Sequence, residues 1–282
     1  MENIKHILNG CDLHTHTKFS FDGAKDGSGE PAAIAKAALD AGLSAIALTD
    51  HCDIDDIIEG IYPPYPADEI FREVERVKSD FDGKLSILRG IELGEPHVYP
   101  AEARKLLSEQ NYDFVLGSLH NLRGYPDFYF LKFDRMEQLQ IDYLVRRAIS
   151  EQLEIVNFEW NGRHIDSLAH ITYIGRYLDE CGASCDFLRF EPEWRRLFHA
   201  MIENDVALEL NTSGLRKGGR LMPTPELVKL YIDCGGKRFT LGSDAHTARD
   251  VGKNLADAAE LLPESSLRLL PEGMSAAAGS SR

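Results

Sequence analysis

The sequence predicts a parallel (β/α) barrel of seven strands, and three observations predict it. Short, continuously apolar runs recur seven times along the chain, as strands do when both faces of a parallel sheet are covered. Helix-like stretches lie between them, an alternation that favours a parallel barrel over a sandwich or a bundle. His, Asp and Glu gather where these runs end, and a parallel barrel brings all its strand C-termini to one face.

The elements follow in order. The run 11–17 contains His14-Thr15-His16, and an Ala-rich helix over 30–41 is closed by Gly42 as C-cap. The run 44–50 leads into Asp50-His51; a helix over 68–78 with a charged face precedes the run 85–93, which holds Gly90-Ile91-Glu92. A helix over 101–109 and a strand over 114–119 lead to Ser118-Leu119-His120. The long helix 137–157 precedes the strand 167–171 with Ala169-His170. A helix over 194–204 comes before the strand 206–211, which carries Glu209-Leu210-Asn211. A helix over 225–234 precedes the strand 239–243 and Asp244-Ala245-His246, and a last helix is expected over 251–261. The reading is one domain over 1–271 with a disordered tail over 272–282.

Composition bounds the function. The 282 residues carry a formal net charge of −15, which argues against a nucleic-acid surface, since that needs clustered Lys and Arg. A small phosphorylated substrate stays possible, because bound metal and a few arginines reverse the potential within one pocket. No apolar run approaches the ~20 residues of a membrane span. The opening residues lack a signal-peptide pattern, and the five cysteines are scattered with no disulfide framework. A reducing cytoplasm is the expected setting. Oligomeric state leaves no signal in the sequence.

Ten histidines are present, and six of them sit at strand ends. Residues i and i+2 of a strand face the same way, about 6–7 Å apart. His14 and His16 can therefore aim at one ion, and Asp244 with His246 repeats the geometry. Imidazole suits Zn, Fe and Mn, and carboxylates add charge and bridge. Gly90 is expected to allow close backbone approach beside Glu92. His6, His164 and His199 lie outside the pattern and are read as surface or packing residues. Cys181 and Cys185 lack a second ligand pair for structural zinc, and Cys52 is read as a buried small hydrophobe.

These motifs, His14-Thr15-His16, Thr49-Asp50-His51, Gly90-Ile91-Glu92, Ser118-Leu119-His120, Ala169-His170 and Gly242-Ser243-Asp244-Ala245-His246, resemble the PHP (polymerase and histidinol phosphatase) superfamily. Phe19-Ser20-Phe21-Asp22 and Glu209 to Gly218 are similar to its histidinol-phosphate phosphatase branch. The resemblance implies a distorted, TIM-like (β/α)7 barrel with three divalent metal ions (Zn, Mn or Fe). It implies that His14, His16, Glu92 and Asp244 hold the first ion. Glu92 with His120 and His170 would hold the second, and Asp22, His51 and His246 the third. The implied reaction is hydrolysis of L-histidinol phosphate to L-histidinol and phosphate in histidine biosynthesis; the alternative is another small phosphomonoester or a nucleotide. Arginine matches phosphate oxygens bidentately, and Arg216 and Arg176 are the candidates. Asp50 is a candidate to orient a ligand histidine or to protonate the leaving oxygen. Glu95, His97, Tyr99 and Asp127 are candidates to meet the amine and imidazole of the substrate.

Overall fold

A computed structural model of the protein describes residues 10–262. The expected tail over 272–282 lies outside the described residues, as does His6. Eight strands form: β1 (Cys11–Thr15), β2 (Ala45–Leu48), β3 (His51–Asp53), β4 (Ser86–Gly94), β5 (Phe114–Ser118), β6 (Ser167–Leu168), β7 (Ala207–Asn211) and β8 (Phe239–Gly242). All named pairs are parallel, in the order β1-β2-β4-β5-β6-β7-β8. The ring nearly closes between β8 and β1, where Asp244 N–H donates to His14 O and His16 N–H to Ala245 O, both at 2.8 Å. The seven-stranded barrel expected from the sequence is therefore present.

The extra strand arises because the second run is broken. β2 stops at Leu48, and after two residues β3 resumes pairing with β4, His51 opposite Glu92. Gly90 makes room for this break: a Cβ there would lie 2.6 Å from Thr49 Cγ2 and 2.9 Å from Leu48 O. β1 carries its own irregularity. Its register advances from Asp12 to Thr15 while β2 advances only from Ile46 to Leu48, the signature of a β-bulge.

Side-chain alternation divides the apolar residues in two. Cys11, Leu13, Ala45, Ala47, Leu88, Phe114, Leu116 and Ala169 fill the barrel interior. Ile46, Leu48, Ile87, Ile91 and Leu208 face outward into the larger cluster beneath the helices. Those helices are α1 (Pro31–Asp40), α2 (Ile54–Ile58), α3 (Ala67–Asp80), α4 (Pro100–Glu109), α5 (Gln138–Val156), α6 (Tyr173–Glu180), α7 (Glu191–Glu203), α8 (Pro225–Asp233) and α9 (Leu255–Ala259). No helix among the described residues is long and apolar enough to cross a membrane.

Two expectations are corrected. The helix expected over 251–261 shrinks to α9, because Gly252 at φ +73° and Asn254 at φ +60° interrupt its start. The strand expected over 167–171 keeps only two ladder residues, because His170 turns to φ +23° and the chain enters α6, which the sequence reading did not include.

Candidate metal centre

Glu92, at the C-terminal half of β4, is the hub of the site and is completely buried. Its Oε2 lies 3.2 Å from His14 Nε2, 3.4 Å from His16 Nε2 and 2.8 Å from His51 Nδ1. Its Oε1 lies 3.2 Å from His120 Nε2 and 2.9 Å from His170 Nε2. The two oxygens of one carboxylate thus divide five histidines into two groups. Asp244 Oδ1 stands 3.3 Å from His16 Nε2 and 3.8 Å from His14 Nε2. Asp22 reaches His246 Nε2 at 3.0 Å and His51 Nε2 at 3.7 Å. The structure therefore brings together all nine residues assigned by resemblance. His16 also lies between the stacked rings of His51 and His246, at 4.2 and 4.1 Å between centroids.

The bulge in β1 explains how His14 reaches this place. In a regular strand His14 would share the outward face of Asp12, which bonds the Ser243 and Gly252 amides. Leu13 faces the interior like Cys11, and the irregular step after it reverses the alternation, so His14 and His16 face inward too and crown it. Asp244 at φ +53° and His170 at φ +23° are likewise held in a conformation that non-glycine residues seldom adopt.

The donor set fits divalent cations. His14 Nδ1 is 2.7 Å from Glu209 Oε1, and His16 Nδ1 is 3.0 Å from the Ser20 hydroxyl, which itself donates to Asp50. Both rings thus carry their proton on Nδ1 and turn Nε2 lone pairs toward each other at 3.0 Å. Such an approach needs a proton or a metal ion between the two nitrogens. His51 Nδ1, Glu92 Oε2 and His246 Nε2 are buried without a hydrogen-bond partner among the described residues, although each has an ion-pair neighbour. Close contacts without hydrogen-bond geometry are what atoms converging on shared ions display.

The field within the cluster is strong. Burial and then the neighbouring His246 and His51 push His16 well below its usual range, which suits a neutral ligand. Burial opposes ionisation of Glu92, but His14, His51 and His120 together hold it well below the carboxylate range. Burial also opposes charge on His51, which Glu92, Asp22 and Asp53 nevertheless raise to about 9.

The other expected residues occupy different places. Asp50 accepts from Thr17 N–H at 2.6 Å, Thr17 Oγ at 2.8 Å and Ser20 Oγ at 2.9 Å, all buried. It supports His16 through Ser20 and is not free to meet a leaving group. Arg216 donates to the carbonyls of Ser243 and Asp244 and so braces the ligand loop. Arg176 stands 3.7 Å from Glu180 and lines a cleft of ≈ 200 Å³ with Thr172, Phe187, Arg220 and Met222. Glu95, completely buried, accepts the backbone N–H of Asn121 at 3.3 Å and that of His120. His97 Nε2 pairs with Glu151 at 3.0 Å, away from the histidine cluster. Tyr99 donates to Glu59 at 3.2 Å.

Sequence reasoning missed Asp53 and Ser20. Asp53 Oδ1 is 3.0 Å from His120 Nδ1; lying two residues after His51 on one strand, it shared the signal that found His51. Nothing in the spacing marks Ser20.

The PHP domain profile matches residues 12–213. A probable histidinol-phosphatase of Clostridium acetobutylicum is 26% identical over 266 residues, spanning 91% of this chain and 94% of that protein. The histidinol-phosphatase of Lactococcus lactis is 28% identical over 251 residues, 84% of each chain. Among solved structures, the Lactococcus lactis histidinol phosphate phosphatase complexed with Zn, L-histidinol and phosphate superposes with a TM-score of 0.76. It is 24% identical and covers 93% of this chain and 96% of that one. A putative histidinol phosphatase from Listeria monocytogenes gives 0.75 at 20% identity, covering 88% and 99%. Because the profile spans most of the chain and takes in six of the seven strand ends that build the cluster, the chain belongs to the PHP domain family.

Proposed function

We propose that this protein is a metal-dependent phosphomonoesterase that hydrolyses L-histidinol phosphate to L-histidinol and phosphate, a step of histidine biosynthesis. The observation that carries the reaction class is the convergence of five histidine ring nitrogens on the two oxygens of Glu92. The substrate rests on the named relatives, which align over nearly the whole chain.

In this reading His14, His16, Glu92 and Asp244 hold one divalent ion. Glu92, His120 and His170 hold a second, and Asp22, His51 and His246 a third. Zinc, manganese and iron all suit this nitrogen and oxygen donor set. Such ions, when bound, lower the pKa of coordinated water from 15.7 toward about 7 and polarise phosphate oxygens. The protein's own part is to place the phosphate. Arg176, 3.7 Å from Glu180 and in the field of Asp244, presents its guanidinium to the phosphate; Arg216 keeps the Asp244 loop in position. The leaving alcohol departs toward the opposite side of the mouth. There Asp56 and Asp127, half-buried among other carboxylates, receive the cationic amine and imidazole. Glu95 and His97 support the loops behind the centre and do not touch substrate.

The test is phosphate release by metal-analysed protein from histidinol phosphate and from a panel of phosphomonoesters. A kcat/KM for histidinol phosphate at least tenfold above the panel is expected. Equal, low values across the panel would remove the substrate assignment and keep the phosphatase class.

A further inference from the structure

A histidine offers an ion the lone pair of one ring nitrogen only when its proton sits on the other, so the partner of the outer nitrogen decides whether the ring is a ligand. His120 takes its partner from Asp53; His16 takes its partner from Ser20, which also accepts the His51 backbone N–H but so joins two histidines of the same group. Glu209 differs. Buried on β7, it places Oε1 2.7 Å from His14 Nδ1, while Oε2 accepts the backbone N–H of His170 at 2.8 Å and Asn211 Nδ2 at 3.1 Å. His170 is the residue held at φ +23°, a conformation that needs support from outside the residue. One carboxylate therefore grips a histidine from each of the two groups that Glu92 divides. The fold keeps space for this grip. A Cβ at Gly242, on the neighbouring β8, would collide with Glu209 Oε1 and come within 2.5 Å of His14 Cβ.

We propose that Glu209 is a positioning residue that fixes the ring tautomer of His14 and the backbone of His170 together, so that the two ion positions sharing Glu92 assemble as a unit. This rests on the metal-centre reading above. The isosteric Glu209→Gln variant separates geometry from hydrogen-bond direction. Its single oxygen is claimed by two donors, His170 N–H and Asn211 Nδ2, which leaves the amide NH2 facing His14 Nδ1. A donor there forces the imidazole proton onto Nε2, the atom that must face the ion. The same logic inactivates a triad histidine whose carboxylate becomes an amide.

The experiment titrates zinc into chelator-stripped full-length protein. Glu209→Gln should bind about 10–100-fold more weakly, the range for lost outer partners of ligand histidines. Long-range proton–nitrogen spectra should show His14 protonated on Nδ1 in the wild type and on Nε2 in the variant. In a His14→Ala background the Glu209→Gln loss should shrink, since only the His170 contact remains to be broken. Wild-type zinc affinity with an unchanged His14 tautomer would overturn the proposal, and so would full additivity with His14→Ala. If Glu209→Gln does not fold, Glu209→Asp, one methylene too short, takes its place; undiminished affinity there would also overturn it. A wild-type protein that binds no zinc, manganese or iron sinks the metal-centre reading itself, an outcome distinct from a wild type that binds while Glu209→Gln binds equally well.

Discussion

The two sides of the barrel mouth handle charge in opposite ways. On the side formed by α6 and the loop after β7, arginines meet oxygen. Arg220 donates to Asp179 at 2.7 Å, Arg216 donates to carbonyls, and Arg176 stands 3.7 Å from Glu180 and over the Tyr177 ring. On the side formed by β3, α2 and the loop after β5, carboxylates meet one another. The charges acting most on Asp56 are Asp55, Asp53, Asp127 and Glu59, all acidic, and with burial as the leading cause they raise it to about 6. Neighbouring like charges disfavour one another's ionised form, and a bound cationic group would relieve them. The mouth is polarised, and a substrate with an anionic and a cationic end has one favoured orientation.

That contrast has meaning only if the centre between the two sides holds metal. His14→Ala and Asp244→Ala should each remain folded, lose the ion that these two residues hold and lose activity by about three orders of magnitude, ~4 kcal/mol of transition-state stabilisation. Full activity in either, with metal content measured, would break the scheme. Arg176→Ala tests the basic side. Loss of a charge-assisted contact worth ~1.5–3 kcal/mol should lower kcat/KM about 10–100-fold with metal retained, and unchanged kinetics would remove Arg176 from the pocket.

The acidic side predicts a smaller and more selective effect. Asp56→Asn and Asp127→Asn should raise KM about 2–5-fold for a cationic phosphomonoester and leave a neutral one unchanged. A cation favours ionised Asp56, whose pKa of about 6 is raised above the ordinary 3.8. Protonation on acidification therefore weakens its binding. The ratio of KM for cationic over neutral substrate should rise as pH falls from 7.5 to 5, and Asp56→Asn should flatten that rise. A ratio independent of pH in the wild type would count against the acidic side. The least functional effect belongs to His97. Its pairing with Glu151 lies behind the centre, so His97→Ala should keep kcat and KM while stability falls by ~1–3 kcal/mol, read as a lower Tm.

Strand register made the centre legible. His14 with His16, and Asp244 with His246, were found because a two-residue spacing on a strand end fixes where both side chains point. Loops do not carry that rule. Arg216 reads as a free phosphate clamp in the sequence, yet the 3₁₀ turn Ser213–Lys217 carries it onto the carbonyls beside Asp244. His97 follows the glycine-containing motif of β4, but its partner lies on α5, 54 residues away. α6 escaped because Gly175 interrupts its pattern; that glycine is needed where a Cβ would lie 2.9 Å from the Phe187 ring.

The bulge in β1 makes the chemistry of this barrel depend on one step of strand register. A regular ladder over the same residues would set His14 opposite Leu48 and send it outward under the helices. The pairings from β2 through β8 would keep their own register. Scaffold and ligand placement are therefore written separately in this chain, the first in its apolar runs and the second in one irregular step.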